Sequence, residues 1–213
     1  MAESASKLEE LTTFINSEKG KRKFKQSVEL AINFRGIDFN KQDNRLNLDV
    51  LLPHSKGKSK KVAVFASDKD LIAKAEKSGV TVFRGEEIDQ IAQDQARLSS
   101  LLKYDTFAQP NLMPAIAKSM GQFLGPRNSM PKPLLGNVNF EEIGSHAGRK
   151  IQIKNKGKYL PTVHCMVATE DMPPESILDN VNEVVNAVSK KVGQNRVRSV
   201  YVKLSMSKPM RFI

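Results

Sequence analysis

Both ends of this chain alternate and its middle does not. Near the amino end Val28, Leu30, Ile32 and Phe34 fall on one parity, with Ser27, Glu29, Ala31, Asn33 and Arg35 on the other. Leu48, Val50 and Leu52 repeat the pattern before Pro53. It returns near the carboxyl end at Ile151 and Ile153, at Val163, Cys165 and Val167, and at Val200, Val202 and Leu204. Side chains on a strand point to opposite faces in turn, so period two predicts strands with one dry face and one wet face. In between, Val62–Ala66 is a continuous apolar run, followed by helical spacing capped by Asp68 and closed by Gly79. Val80–Phe83 and the stretch around Phe107 are further short strands, separated by helices over Glu86–Gln93, Arg97–Leu102 and Asn111 or Pro114 to Leu124. Unalternated strands separated by helices predict a parallel sheet buried on both faces.

The two ends therefore share one architecture and the middle has another. The economical fold is α/β with two domains: a discontinuous terminal α/β (α+β, two-layer) domain over 1–58 and 149–213, and an inserted Rossmann-like parallel βαβ domain over 59–148. Two helices complete the terminal domain. One spans 4–18, capped by Ser4 or Ser6, with Leu8, Leu11 and Ile15 on one face. The other begins at Pro173–Pro174, carries a stripe from Ile177 to Val192, and ends at Gly193. Its acids lie early and Lys190 and Lys191 late, which complements the helix dipole. The polar stretch PHSKGKSKK reads as a linker, with a hinge expected at Lys56–Lys61 and His146–Lys150. The last strand is expected over Val197–Met206.

Charge narrows the function. Lys and Arg number 34 against 23 Asp and Glu, a net charge of +11. The bases gather in four acid-poor groups: Lys19, Lys21, Arg22, Lys23 and Lys25; Lys56, Lys58, Lys60 and Lys61; Arg149, Lys150, Lys154, Lys156 and Lys158; Arg196, Arg198, Lys203, Lys208 and Arg211. Clustering of this kind predicts a phosphate-binding surface rather than scattered solubilising lysines. No apolar stretch approaches the ~20 residues of a bilayer span, and no helix combines an apolar face with a basic one, so no membrane partner is expected. The opening MAESASKLEE lacks the order of a secretory signal, and a single Cys165 excludes a disulfide framework, so the chain is expected in the cytoplasm.

Enzymatic chemistry finds little support. A βαβ block invites a nucleotide- or metabolite-binding enzyme, yet the first strand–helix junction, FASDKD, has no glycine, and neither GxxxxGK[ST] nor GxGxxG occurs. His54, His146 and His164 are far apart and outside ligand motifs, while Cys165 sits on the apolar side of its strand as a core thiol. No catalytic residue, metal or cofactor is expected. On the wet faces, His164, Met166, Tyr201, Lys203 and Ser205 point outward. Phe24 stands between Lys23 and Lys25, and Met206 precedes Ser207, Lys208, Pro209 and Arg211. Lysines for phosphates, hydroxyls and carboxylates for ribose 2′-OH groups, and apolar groups to cover a sugar or base are the mixture RNA recognition uses. Spacing leaves two readings level: Phe24 and Met206 face RNA, or they plug the terminal core.

The strings KRKFKQSVELAINFRGID, NRLNLDVLLPH, LGPRNSMPKP and VRSVYVKLSMSKPMRF, in this order along nearly the whole chain, resemble the L-one family of large-subunit ribosomal proteins in its archaeal form. The resemblance implies a discontinuous terminal domain with a Rossmann-like insert. It implies binding to large-subunit ribosomal RNA at the mobile side stalk, assistance to transfer RNA leaving the exit site, and repression of the protein's own messenger RNA. A monomer is expected when free. Carried over by motif, the RNA-binding residues are Lys23, Phe24, Ser27 and Glu29, then His164 and Thr169, then Ser205, Met206, Ser207 and Lys208. Three positions depart from the family pattern: Ser205 and Ser207 stand in Ser205-Met206-Ser207 where Thr-Met-Gly is usual, and Ala168 stands where glycine is usual.

Overall fold

The computed structural model describes residues 2–57, 61–127, 129–134, 139–155 and 160–213. Lys58 and Lys60 of the second basic group and Lys156 and Lys158 of the third lie outside the described residues. The chain divides into two compact units, Met1–Lys58 with Arg149–Ile213, and Ser59–Gly148.

In the first unit, helix α1 (Ala2–Glu18) leads to strand β1 (Ser27–Phe34), and β2 (Asn47–Leu51) follows. The helix starts upstream of Ser4 and Ser6, so neither is its cap. In the second unit come β3 (Lys61–Ala66), α2 (Lys69–Lys77), β4 (Thr81–Arg84), α3 (Ile88–Gln93), α4 (Gln95–Ser100) and β5 (Tyr104–Ala108). Then follow α5 (Met113–Leu124), β6 (Lys132–Pro133) and α6 (Phe140–Ala147). The chain returns to the first unit for β7 (Lys150–Lys154), β8 (Thr162–Thr169), α7 (Pro174–Val192), β9 (Val197–Leu204) and β10 (Met210–Arg211).

Alternation becomes burial on β1: Val28, Leu30, Ile32 and Phe34 are buried and the residues between them are half-exposed. β1 lies at the centre of an antiparallel sheet ordered β10-β9-β1-β8. Its dry side joins Leu11 and Ile15 of α1 and the stripe Ile177, Val181, Val184, Val188 of α7 in one core. The hairpin-like pair β2-β7 adds Val50, Ile151 and Ile153 to the same core. Burying apolar surface at ~25 cal/mol per Å² makes this common core the main source of the unit's stability. It also leaves the other side of the sheet free to carry polar groups.

The second unit has a parallel sheet ordered β4-β3-β5-β6, with helices on both faces. Val62, Val64 and Ala66 of β3 pack with α2 and α6, while Phe65 packs with α3, α4 and α5. Asp68 caps α2 by accepting a hydrogen bond from the Asp70 N–H at 3.1 Å. Helix α6 is absent from the sequence reading. Asn139 caps it through the Glu141 N–H, at 3.1 Å, and Phe140 and Ala147 bury against β3. His146 is therefore helical, and only Gly148 and Arg149 remain between α6 and β7.

Candidate nucleic-acid interface

The segment after α1 and the turn after β9 are distant in sequence and bonded in space. Ser27 N–H donates to Ser205 Oγ at 3.1 Å, and Ser205 N–H donates back to Ser27 O at 3.1 Å. Strand β9 ends at Leu204, so Ser205 and Met206 form a turn rather than extending the strand. Ser207 closes that turn: its N–H donates to Leu204 O at 3.1 Å, and its Oγ accepts from Leu204 N–H at 2.9 Å. The side chain standing where the family pattern has glycine is thus a hydrogen-bonding part of the turn.

Beneath both segments lies Gln26, 1% exposed. Its Nε2 donates to Glu18 O at 3.2 Å and to Glu170 Oε2 at 3.1 Å. Its Oε1 accepts from Met206 N–H at 3.2 Å, and its carbonyl accepts from Glu170 N–H at 3.1 Å. A buried amide with both ends engaged avoids the cost of an unmet polar group, here while joining three parts of the chain. Gln26 is absent from the sequence reading. The available signal was a polar residue on the same parity as Val28 and Leu30.

The readings of Phe24 and Met206 left level by spacing now separate. Phe24 is 51% exposed and Met206 57%, so neither plugs the core. Two large apolar groups stand in water on adjoining segments, among exposed Lys23, Lys25 and Lys208. Lys25 pairs with Asp171, and that hydrogen bond and charge hold the Asp171 carboxyl below its usual range.

Along the open sheet face, strand register sets rows. Met166, Glu29 and Lys203 form one row, and His164, Ala31, Tyr201 and Arg211 the next. Glu29 Oε2 and Lys203 Nζ are 3.9 Å apart and both partly exposed, a loose pair that leaves the carboxylate able to accept other hydrogen bonds. His164 is exposed, one row from Glu29. The structure therefore brings Lys23, Phe24, Ser27, Glu29, Ser205, Met206, Ser207 and Lys208 together, with His164 beside them.

Thr169 does not share that exposure. A bulge at Val167 shifts the register so that Thr169 lies opposite Ser27, yet Thr169 is 2% exposed. Gly57, at φ +78°, packs on it so closely that a Cβ there would sit 2.1 Å from Thr169 Oγ1. Its hydroxyl cannot reach a ligand on the outer surface. Lys56 is likewise engaged, its Nζ donating to Lys150 O at 3.0 Å. Cys165 packs against the core, and burial pushes its thiol up to about 12.

In the second unit, the β3–α2 junction spends its amides internally. Gln109 Oε1 accepts from Ser67 N–H at 2.7 Å and from Asp68 N–H at 3.3 Å, while the Asp68 carboxylate occupies the start of α2. A nucleotide phosphate needs those groups free and no anion already in place. The adjacent cavity of about 400 Å³, lined by Ser67, Lys69, Arg84 and Glu86 among others, carries both signs of charge. Among the described residues no cluster of His, Cys, Asp and Glu could hold a metal ion, and no helix is long and apolar enough to cross a membrane.

Comparison with known proteins adds the lineage. The Ribosomal protein L1p/L10e family matches residues 15–208. The large ribosomal subunit protein uL1 of Thermococcus kodakarensis is 38% identical over 211 residues, covering 97% of this chain and 96% of the relative. The protein of the same name from Pyrococcus abyssi is 40% identical over 192 residues, covering 87% and 85%. That from Methanocaldococcus jannaschii is 38% identical over 189 residues, again covering 87% and 85%. The family model spans most of the chain and these relatives, each named as a ribosomal protein rather than an enzyme, cover 87% or more of it: the chain is a member of the ribosomal protein L1p/L10e family.

Proposed function

We propose that this protein binds a folded segment of large-subunit ribosomal RNA through the surface formed by the 23–29 segment and the 205–208 turn. The observation that carries the proposal is the pair Phe24 and Met206, 51% and 57% exposed, held on bonded segments amid lysines. Lys23, Lys25 and Lys208 supply phosphate contacts, and release of counterions makes affinity fall with salt. Glu29 and the turn's backbone address ribose 2′-OH groups, and the two apolar side chains cover a sugar or base. Shape and 2′-OH contacts then confer selectivity that charge alone lacks.

Three further roles rest on the family resemblance and on the same surface. The protein assists transfer RNA departing the exit site, represses its own messenger RNA by binding a similar fold there, and is a monomer when free. Its place is the ribosome, in the cytoplasm. The test is hydroxyl-radical footprinting of the purified protein on large-subunit ribosomal RNA, followed by filter binding to the protected fragment. One compact protected region, lost from the footprint of a Phe24→Ala/Met206→Ala variant, is expected. Protection spread evenly over the RNA, unchanged in that variant, overturns the proposal.

A further inference from the structure

We infer that Gln26 is a positioning residue for the RNA surface: from inside the protein it fixes the Met206 turn to the end of α1 and to the end of β8. The inference rests on the proposed RNA-binding reading and deepens it, because Gln26 itself is 1% exposed and touches no ligand.

The geometry assigns each half of its amide a task. The oxygen accepts from Met206 N–H at 3.2 Å. The nitrogen donates to Glu170 Oε2 at 3.1 Å and to Glu18 O at 3.2 Å. Glu170 is 5% exposed and its carboxylate accepts from the Gln26 amide nitrogen, which fixes which way the amide faces. A flipped amide would set an oxygen against the Glu170 carboxylate and the Glu18 carbonyl and a donor against the Met206 N–H, losing all three bonds. The Glu170 charge therefore orients Gln26, and Gln26 orients the turn. The second tie, between Ser27 and Ser205, holds the turn's other side. With both in place, Met206 is presented in water without needing to be ordered by RNA, which reduces the entropic cost of binding.

The test is RNA affinity by filter binding at fixed salt, with thermal melts alongside. Gln26→Ala is expected to weaken affinity about tenfold in the wild-type background and no more than twofold when Met206 is already Ala, since contacts acting through one residue are not additive. Asn180→Ala is the control for a lost buried amide: Asn180, fully buried on α7, donates to Val167 O at 2.9 Å and accepts from His54 N–H at 3.0 Å, away from the turn. It should destabilise the fold and leave affinity within twofold at a temperature where the protein is folded. Gln26→Glu opposes two carboxylates and should bind at least tenfold more weakly. Combining it with Glu170→Gln restores a donor facing an acceptor and keeps an acceptor for Met206 N–H, though not the bond to Glu18 O, and should bind at least threefold more tightly than Gln26→Glu alone. This pair decides the matter even if Gln26→Ala fails to fold.

Additive losses in Gln26→Ala and Met206→Ala, or a Gln26→Glu/Glu170→Gln protein as weak as Gln26→Glu alone, overturn the inference. A Met206→Ala protein that binds like wild type instead overturns the RNA surface itself, which separates the two failures.

Discussion

Truncating Met206 tests the interface most directly, because the residue does so little for the fold. At 57% exposure it contributes little core burial, and its backbone bonds to Gln26 and within the turn do not involve the side chain. Met206→Ala should therefore leave the melting temperature within a degree or two, as surface changes usually fall within ~0.5 kcal/mol. Its effect on RNA binding is a different matter. The part of the side chain beyond Cβ presents roughly 60–100 Å² to water, and covering it at ~25 cal/mol per Å² is worth about 1.5–2.5 kcal/mol. That is a loss of affinity of roughly 10- to 60-fold. The salt dependence should not change, since no charge is removed. Filter binding to the footprinted fragment across a series of salt concentrations gives both quantities. A variant within twofold of wild type at every salt concentration refutes the reasoning, as does a tenfold loss accompanied by a shallower salt slope.

Other perturbations separate charge from shape. Lys23→Ala, at an exposed ammonium, should lower the salt slope by about 1 while weakening binding to all RNAs alike, as read by the same titrations on stalk and unrelated RNA. Gly57→Ala forces a Cβ to 2.1 Å from Thr169 Oγ1 at φ +78° and should destabilise the terminal unit by about 2–4 kcal/mol in a urea melt. Cys165, with its thiol raised from 9.0 to about 12, should react with a thiol reagent at pH 8 about 1000-fold more slowly than an unfolded control. By the same shift the unfolded chain releases that proton first, so stability should decline as pH rises above about 9.

Much of this fold was readable because period two and period 3.6 report burial on one side. Strand β1, the α7 stripe, the Asp68 cap and the parallel insert all follow from that. Helix α6 escaped because Phe140, Ile143 and Ala147 follow a proline-rich stretch, and the pair Glu141–Glu142 reads equally as a turn. Strand β10 has two residues, too few for any period. The bulge at Val167 leaves no mark in a run of apolar residues, so the placement of Thr169 under Gly57 was invisible. Exposure of Phe24 and Met206 could not be read locally either, since it depends on Ser27 meeting a partner 178 residues away.

That long-range pairing also explains why the surface is built as it is. An exposed Phe and an exposed Met are a liability for solubility unless each is isolated by charge and held still. Here Lys23 and Lys25 flank the one and Lys208 follows the other. The Ser27 N–H, the Ser207 hydroxyl and the buried amide of Gln26 fix the turn from three directions. Such bonds cannot themselves distinguish one RNA from another. What they do is fix the backbone separation between the segment that carries Phe24 and the turn that carries Met206. A ligand that matches that separation gains every contact together, and one that mismatches by a nucleotide keeps only the phosphate attraction. Selectivity of this kind should disappear when the frame is loosened even though every contacting side chain remains, which distinguishes a rigid template from a merely basic patch.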